Sequence, residues 1–142
     1  MDFSYANLTG ADISGADLTY GKFNIANLKG VELQNADLTG ASFVQVDLTK
    51  IKNKSLAGAD LSEASFAHSN LSGVNLAGVI LHTTNFWNAD LSGVDFTVTD
   101  VITDGLSFIN SNLSNSNFEG VDLSPKSAFF NIFKNPTESP KQ

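Results

Sequence analysis

The chain has 142 residues, with 15 acidic side chains against 8 lysines and no arginine, and a formal net charge of −7. That balance disfavours nucleic acid as a ligand, which needs a basic footprint, and the absence of cysteine excludes disulfides and thiolate metal sites. The apolar runs are too short to span a membrane, and repeats beginning at Phe3 leave no leader-like segment, so the cytoplasm is the expected compartment.

Taken in order, the chain repeats itself every five residues. The centres of the fives are Phe3, Leu8, Ile13, Leu18, Phe23, Leu28, Leu33, Leu38, Phe43 and Leu48, resuming at Leu56, Leu61 and Phe66. Two residues before the centres stand small or β-branched side chains, among them Ala6, Ala11, Ala16, Val31, Ala36 and Val46. A period of five fits neither an α-helix nor a plain strand. It fits one short extended piece and one turn per repeat, in which residues two apart point to the same side. That side is the interior. Glycine falls two after a centre at Gly10, Gly15, Gly30, Gly40, Gly58, Gly73, Gly78, Gly93 and Gly120, where the turn calls for positive φ. A fixed short period is the signature of a solenoid.

A second period sets the size of the coil. Phe3, Phe23 and Phe43 lie twenty apart, and the series continues at Phe66, Phe86 and Phe108. With one Phe per coil on one wall, four repeats close a square turn and about six turns stack. The spacings then place three additional residues between Leu48 and Leu56 and two between Val101 and Phe108. Phe96 and Phe118 form a shorter aromatic stack on the opposite wall.

With its AlaAspLeuSer/Thr units at Ala16–Thr19, Ala36–Thr39, Ala59–Ser62 and Ala89–Ser92, the pattern resembles the pentapeptide-repeat family. The resemblance implies an all-β fold, a right-handed quadrilateral β-helix, over residues 1–124 with short insertions at about 49–55 and 102–107. Ser124 and Pro125 read as N-cap and first residue of a helix, with Phe129, Ile132 and Phe133 on one stripe and Pro136 as the stop. A capping α-helix is therefore expected over 125–134, covering the exposed edge of the last coil, followed by a disordered tail at 135–142. Phe130 lies off that stripe and is expected to make a two-fold contact between C-terminal ends, giving a homodimer.

The twenty-residue register also aligns the outward side chains. One wall carries an acidic column, Asp17, Asp37, Asp60, Asp100 and Asp122, broken by Ile80; another carries Asn7, Asn27, Asp47, Asn70, Asp90 and Asn112. Lys50, Lys52 and Lys54 crowd into the first insertion, as a solvated bulge or as a contact for an acidic partner. Val44, Ala67, Trp87 and Ile109 lie outward beside the Phe column, with Ile80 and Ile102 on the adjoining wall. An outward Trp among aliphatic neighbours is a patch, and patches mark interfaces.

His68 and His82 are not aligned with a nucleophile and an orienting group. No catalytic residue, metal site or cofactor is expected. The reading is a non-catalytic protein–protein interaction module or scaffold whose protein partner is unknown. The alternative, implied by resemblance to the quinolone-resistance members of the family, is a DNA mimic that binds DNA gyrase or another topoisomerase. Charge density speaks against it: roughly 29 Å of duplex carries about 17 phosphates, whereas the 15 acids here are spread over four walls and the tail.

Overall fold

The computed structural model describes residues 1–102 and 105–122, with the side chains of Val101 and Ile102 outside the description. Each turn of chain pairs with the next at four places, all parallel: Asp2 with Lys22, Asn7 with Asn27, Asp12 with Glu32, and Asp17 with Asp37. These pairs define walls one to four of a four-sided β-helix. A wall is one extended piece of two or three residues before a turn, so most ladders consist of a single rung. One pairing is longer, between β1 (Ile80–Leu81) and the parallel β2 (Val101–Ile102). Turns close on themselves, as where the Ala6 amide donates to the Phe3 carbonyl at 3.0 Å and the Ala11 amide to Leu8 at 2.9 Å.

The core is a pile of identical layers. Phe3, Phe23, Phe43, Phe66, Phe86 and Phe108 stack behind wall one, with successive ring centroids 5.3, 4.8, 5.0, 5.6 and 5.6 Å apart. That spacing is close to the separation of neighbouring strands, about 4.8 Å. Behind wall three Phe96 and Phe118 stack at 4.4 Å, and both meet Phe108 edge-on across the interior. Polar residues at the small inward positions are satisfied locally: Thr84 donates its hydroxyl to Leu61 at 2.9 Å, and Ser111 and Ser116 donate to Phe108 and Leu113 at 2.7 Å.

The first insertion bulges from wall three as two short 3-10 turns, Leu48–Lys50 and Lys52–Lys54. Ile51 between them is 3% exposed and occupies the inward position ahead of Leu56. The second insertion departs from the sequence reading. Asn70 pairs with Asp90, 20 residues on; Ile80 pairs with Val101, 21 on; Asn85 pairs with Ser107, 22 on. One additional residue therefore lies before Val101, and the other between Ile102 and Ser107. Val101, not Asp100, continues the wall-four column after Ile80, and Ile102 takes the place opposite Leu81 expected of Val101. The ladder takes two β-branched residues, as strand preference favours, and leaves exposed Asp100 outside it, its amide donating to Val79 at 2.9 Å. From Leu123 onward the expected cap at 125–134, its Phe129, Phe130, Ile132 and Phe133, and the tail lie outside the described residues.

Candidate functional site

The acidic column is first of all a set of turn caps. Asp17 accepts the Thr19 amide at 3.1 Å and the Thr19 hydroxyl at 2.8 Å; Asp60 accepts the same pair from Ser62 at 2.9 and 2.6 Å; Asp37 accepts the Thr39 amide at 3.1 Å. Asn7 and Asn27 on wall two accept the equivalent amides of Thr9 and Lys29 at 3.1 Å. The position therefore asks for an oxygen acceptor, charged or not. The Thr19 amide, then its hydroxyl, hold the Asp17 carboxyl below the ordinary aspartate range; the Ser14 hydroxyl, then its amide, do so for Asp12. As a column of negative charge the wall is short: Ile80 and Val101 follow Asp60. Asp122 is exposed beyond them.

The basic loop is tied to its own rod. Lys52 reaches across to Glu32 with Nζ–Oε1 2.7 Å, and this hydrogen bond raises its pKa. The Lys54 Nζ lies over Gly73. Lys50 is exposed at the end of the first 3-10 turn.

Wall one differs in character. Its outward positions are Asp2 and Lys22 in the first two coils, then Ser42, Ser65, Asn85 and Ser107, without formal charge. Beside them Val44, Ala67 and Ile109 are half or fully buried, while Trp87 is 43% exposed. The Trp87 ring meets His68 edge-on at 4.9 Å. A shallow groove of about 310 Å³ opens where His68 and Gln45 meet Val46, Asp47 and Asn70 of wall two. Ile80 is half-buried on wall four. It does not join the Trp87 patch, because the 4–1 edge and the first outward row of wall one intervene. His82, on wall four, is exposed.

The sequence reading missed three side chains here. Tyr5 is 76% exposed, Tyr20 66% and Ile25 43%. Tyr5 and Ile25 sit on the edge between walls one and two, and Tyr20 on the edge between walls four and one. All three have positive φ, at 63°, 56° and 58°. The signal was present: two residues after every Phe of the stack stand Tyr5, Ile25, Gln45, His68, Asn88 and Asn110, and none is glycine. All six adopt positive φ between 54° and 63°. On the edges after walls two and three glycine fills most of the equivalent positions. An L side chain in this conformation costs about 1 kcal/mol or more, least for Asn and His and most for β-branched Ile25. Side chains are kept on this edge against backbone preference.

Among the described residues no group of three or more His, Asp or Glu side chains converges as a metal site. The outward polar groups stand on flat or convex walls.

A model described as pentapeptide repeats matches eight copies, at residues 1–19, 26–51, 56–97 and 100–124. A comparison with curated proteins found no match. Among solved structures, trypsin-treated QnrB1, a plasmid-mediated fluoroquinolone resistance protein, is 25% identical with TM-score 0.38, covering 81% of this chain and 59% of that one. A second trypsin-treated form of QnrB1 gives 25% identity and TM-score 0.35 over 82% of this chain and 62% of that one. A pentapeptide repeat protein from the Arabidopsis thaliana thylakoid lumen is 28% identical with TM-score 0.26, over 82% and 67%. The chain thus spans about 60% of the length of the two QnrB1 chains.

Proposed function

The chain belongs to the pentapeptide-repeat family of right-handed β-helices, and on that premise we propose that it is a non-catalytic protein-interaction module whose contact surface is wall one, around Trp87. The observation carrying this reading is where apolar surface is left exposed. Of the six large apolar or aromatic side chains exposed among the described residues, Tyr5, Tyr20, Ile25 and Trp87 lie on wall one or its two edges; the others are the first residue, Met1, and Val98 on the edge between walls three and four. Among the described residues most of the acids lie on walls two, three and four; the exceptions are Asp2 on wall one and Glu63 on the edge that carries Tyr20. Interface centres are depleted in charge and enriched in aromatic residues, and wall one around Trp87, uncharged at Ser42, Ser65, Asn85 and Ser107, has both properties.

The DNA-mimic reading, with DNA gyrase as the partner, draws on the net charge of −7 and on Asp17, Asp37 and Asp60. Three acids in successive coils, each engaged in a turn, make a weak imitation of a phosphate backbone.

Affinity capture with the wild type and with Trp87→Ser separates the two. Wall-one binding is lost in Trp87→Ser and persists at high salt, since apolar contacts are not screened. A complex that survives Trp87→Ser and dissolves in salt would move the contact to the acidic walls. Inhibition of gyrase supercoiling is then the assay for the second reading.

A further inference from the structure

We propose that the edge between walls one and two docks onto the same edge of a second copy of this chain, antiparallel, about a two-fold axis between Gln45 and His68. This rests on the reading of wall one as a contact surface and identifies what one side of it receives.

The edge is an unbroken row. The amides of Tyr5, Ile25, Gln45, His68 and Asn88 donate to Asn24, Val44, Ala67, Trp87 and Ile109 of the next coil at 2.9, 3.0, 3.1, 2.9 and 3.0 Å. Neither insertion interrupts it. Its six side chains therefore recur at one strand spacing, about 4.8 Å, over roughly 24 Å. An extended peptide presents same-side residues at about 6.6 Å and drifts out of step with such a row within two rungs. Another stack of strands stays in step along its whole length.

Charge selects the same chain as that stack. No residue of the edge itself is formally charged with histidine neutral, and only Asp47 borders it at the groove beside Gln45 and His68, whereas a copy approaching squarely through walls two, three or four brings Asp47 and Asp90, Asp12 and Asp95, or Asp17 and Asp37 against another acidic surface. A chain of net charge −7 self-associates with less repulsion through this edge than through those walls; the edge between walls three and four is equally uncharged but is mostly glycine, at Gly15, Gly58, Gly78 and Gly120, and offers few side chains to a partner.

The pattern is also self-complementary, as a two-fold contact requires. Counting rungs from the N-terminal end, the first two carry Tyr5 and Ile25, and the last two carry Trp87 and Ile109 just beside the edge. Antiparallel docking sets rung two against rung five and rung one against rung six. Ile25 then meets the partner's Trp87, and Tyr5 the partner's Ile109. The two middle rungs, Gln45 and His68, face each other as amide and imidazole, a hydrogen-bonding pair. A parallel arrangement would instead set Trp87 on Trp87 and leave Tyr5 and Ile25 facing their own kind.

The absence of cysteine makes the test direct. Residues 25 and 87 are three rungs apart in one chain, roughly 14 Å, twice the Cα separation of about 7 Å that a disulfide tolerates. In the double variant Ile25→Cys/Trp87→Cys any disulfide is therefore between copies. Antiparallel docking gives a covalent dimer in the double variant and none in Ile25→Cys or Trp87→Cys alone. Tyr5→Cys/Asn110→Cys, which keeps Trp87, gives the same result from the outer rungs. In sedimentation, Ile25→Asn, which suits positive φ and so keeps the fold, weakens the wild-type dimer roughly tenfold or more, as loss of an apolar anchor does. A wild type that stays monomeric at millimolar concentration overturns the proposal. So does cross-linking of the single variants as fast as the doubles. A monomer whose Trp87→Ser variant still loses a captured partner would retire the self-docking alone; a monomer whose captured partner is indifferent to Trp87 would retire the wall-one reading with it.

Discussion

The rings of Phe43 and Phe66 stack 5.0 Å apart and within 4° of parallel, as closely as Phe23 and Phe43 at 4.8 Å and 4°. Yet the first pair is separated by 23 residues and the second by 20. The three additional residues are absorbed entirely on wall three, and the stack behind wall one does not register them.

Deleting Lys52, Asn53 and Lys54 should therefore leave the fold intact. The deletion joins Ile51 to Ser55 and Leu56, so Ile51 stands two before the centre and the five-residue pattern is restored. The exposed Lys52–Glu32 pair is lost, and exposed pairs contribute little; the backbone bonds between Lys52 and Val31 and between Asn75 and Lys54 pass to Ser55 and Ile51, which the deletion brings into their places. Circular dichroism and thermal unfolding check this. A collapse of cooperativity would mean that the bulge holds the third coil open.

Phe66→Ala should destabilise the protein by about 3–5 kcal/mol, the usual cost of truncating a fully buried aromatic residue. Phe66 is 0% exposed and has a stacked ring on either side. Phe3→Ala should cost clearly less, because Phe3 is only half-buried and stacks on one neighbour. Urea midpoints of the two variants, with unchanged slope, give the comparison. Equal losses would refute burial and stacking as the source of the difference.

Gly40 and Gly93 share nearly the same backbone, φ 68° and 69°, but not the same surroundings. Gly93→Ala should cost about 1 kcal/mol from the left-handed conformation alone, since a methyl there meets nothing. Gly40→Ala should cost more, because its methyl would strike the Tyr20 ring lying over it. In a Tyr20→Ser background the additional cost of Gly40→Ala should vanish. A double-mutant cycle measures the coupling, and a value near zero would show that the Tyr20 ring moves aside freely.

Acid should weaken the fold through its caps. Thr19 and Ser14 lower the Asp17 and Asp12 carboxyls below the ordinary value of 3.8, as the Ser4 amide first of all does for Asp2. A carboxyl with a lower pKa folded than unfolded adds stability that is complete above the unfolded value and is lost as pH falls through the folded one. Stability should hold from about pH 7 to about pH 5 and then decline through and below the ordinary Asp range. Asp17→Asn keeps an oxygen acceptor, as Asn7 and Asn27 do, and should show a shallower decline; Asp17→Ala loses the cap and should be weaker already at neutral pH. Urea midpoints against pH test it, and an Asp17→Asn profile as steep as the wild type would assign the acid response elsewhere.

The sequence by itself determined the coil. A period of five sets the wall and a Phe every twenty sets the turn, because each wall must bury one large side chain and steric layers of identical width stack only in register. For the same reason the positions of Phe66 and Phe86 on wall one were legible across an insertion. What it left open are matters of local competition. Asp100, Val101 and Ile102 offer two registers, and the ladder chose the pair of β-branched ones, which took Asp100 out of the acidic column and paired Ile102 with Leu81. The Asp and Asn columns read as two chemical surfaces, but their oxygens are turned back onto the amides two residues on, a choice made by hydrogen-bond geometry that no spacing reveals. The glycine-free edge was written in the chain at Tyr5, Ile25 and Gln45, yet it carries meaning only once the backbone shows every one of those residues at positive φ. Burial follows from pattern because it depends on which side a residue faces; the identity of a contact surface depends on which side chains a strained backbone holds in the open, and only the folded chain decides that.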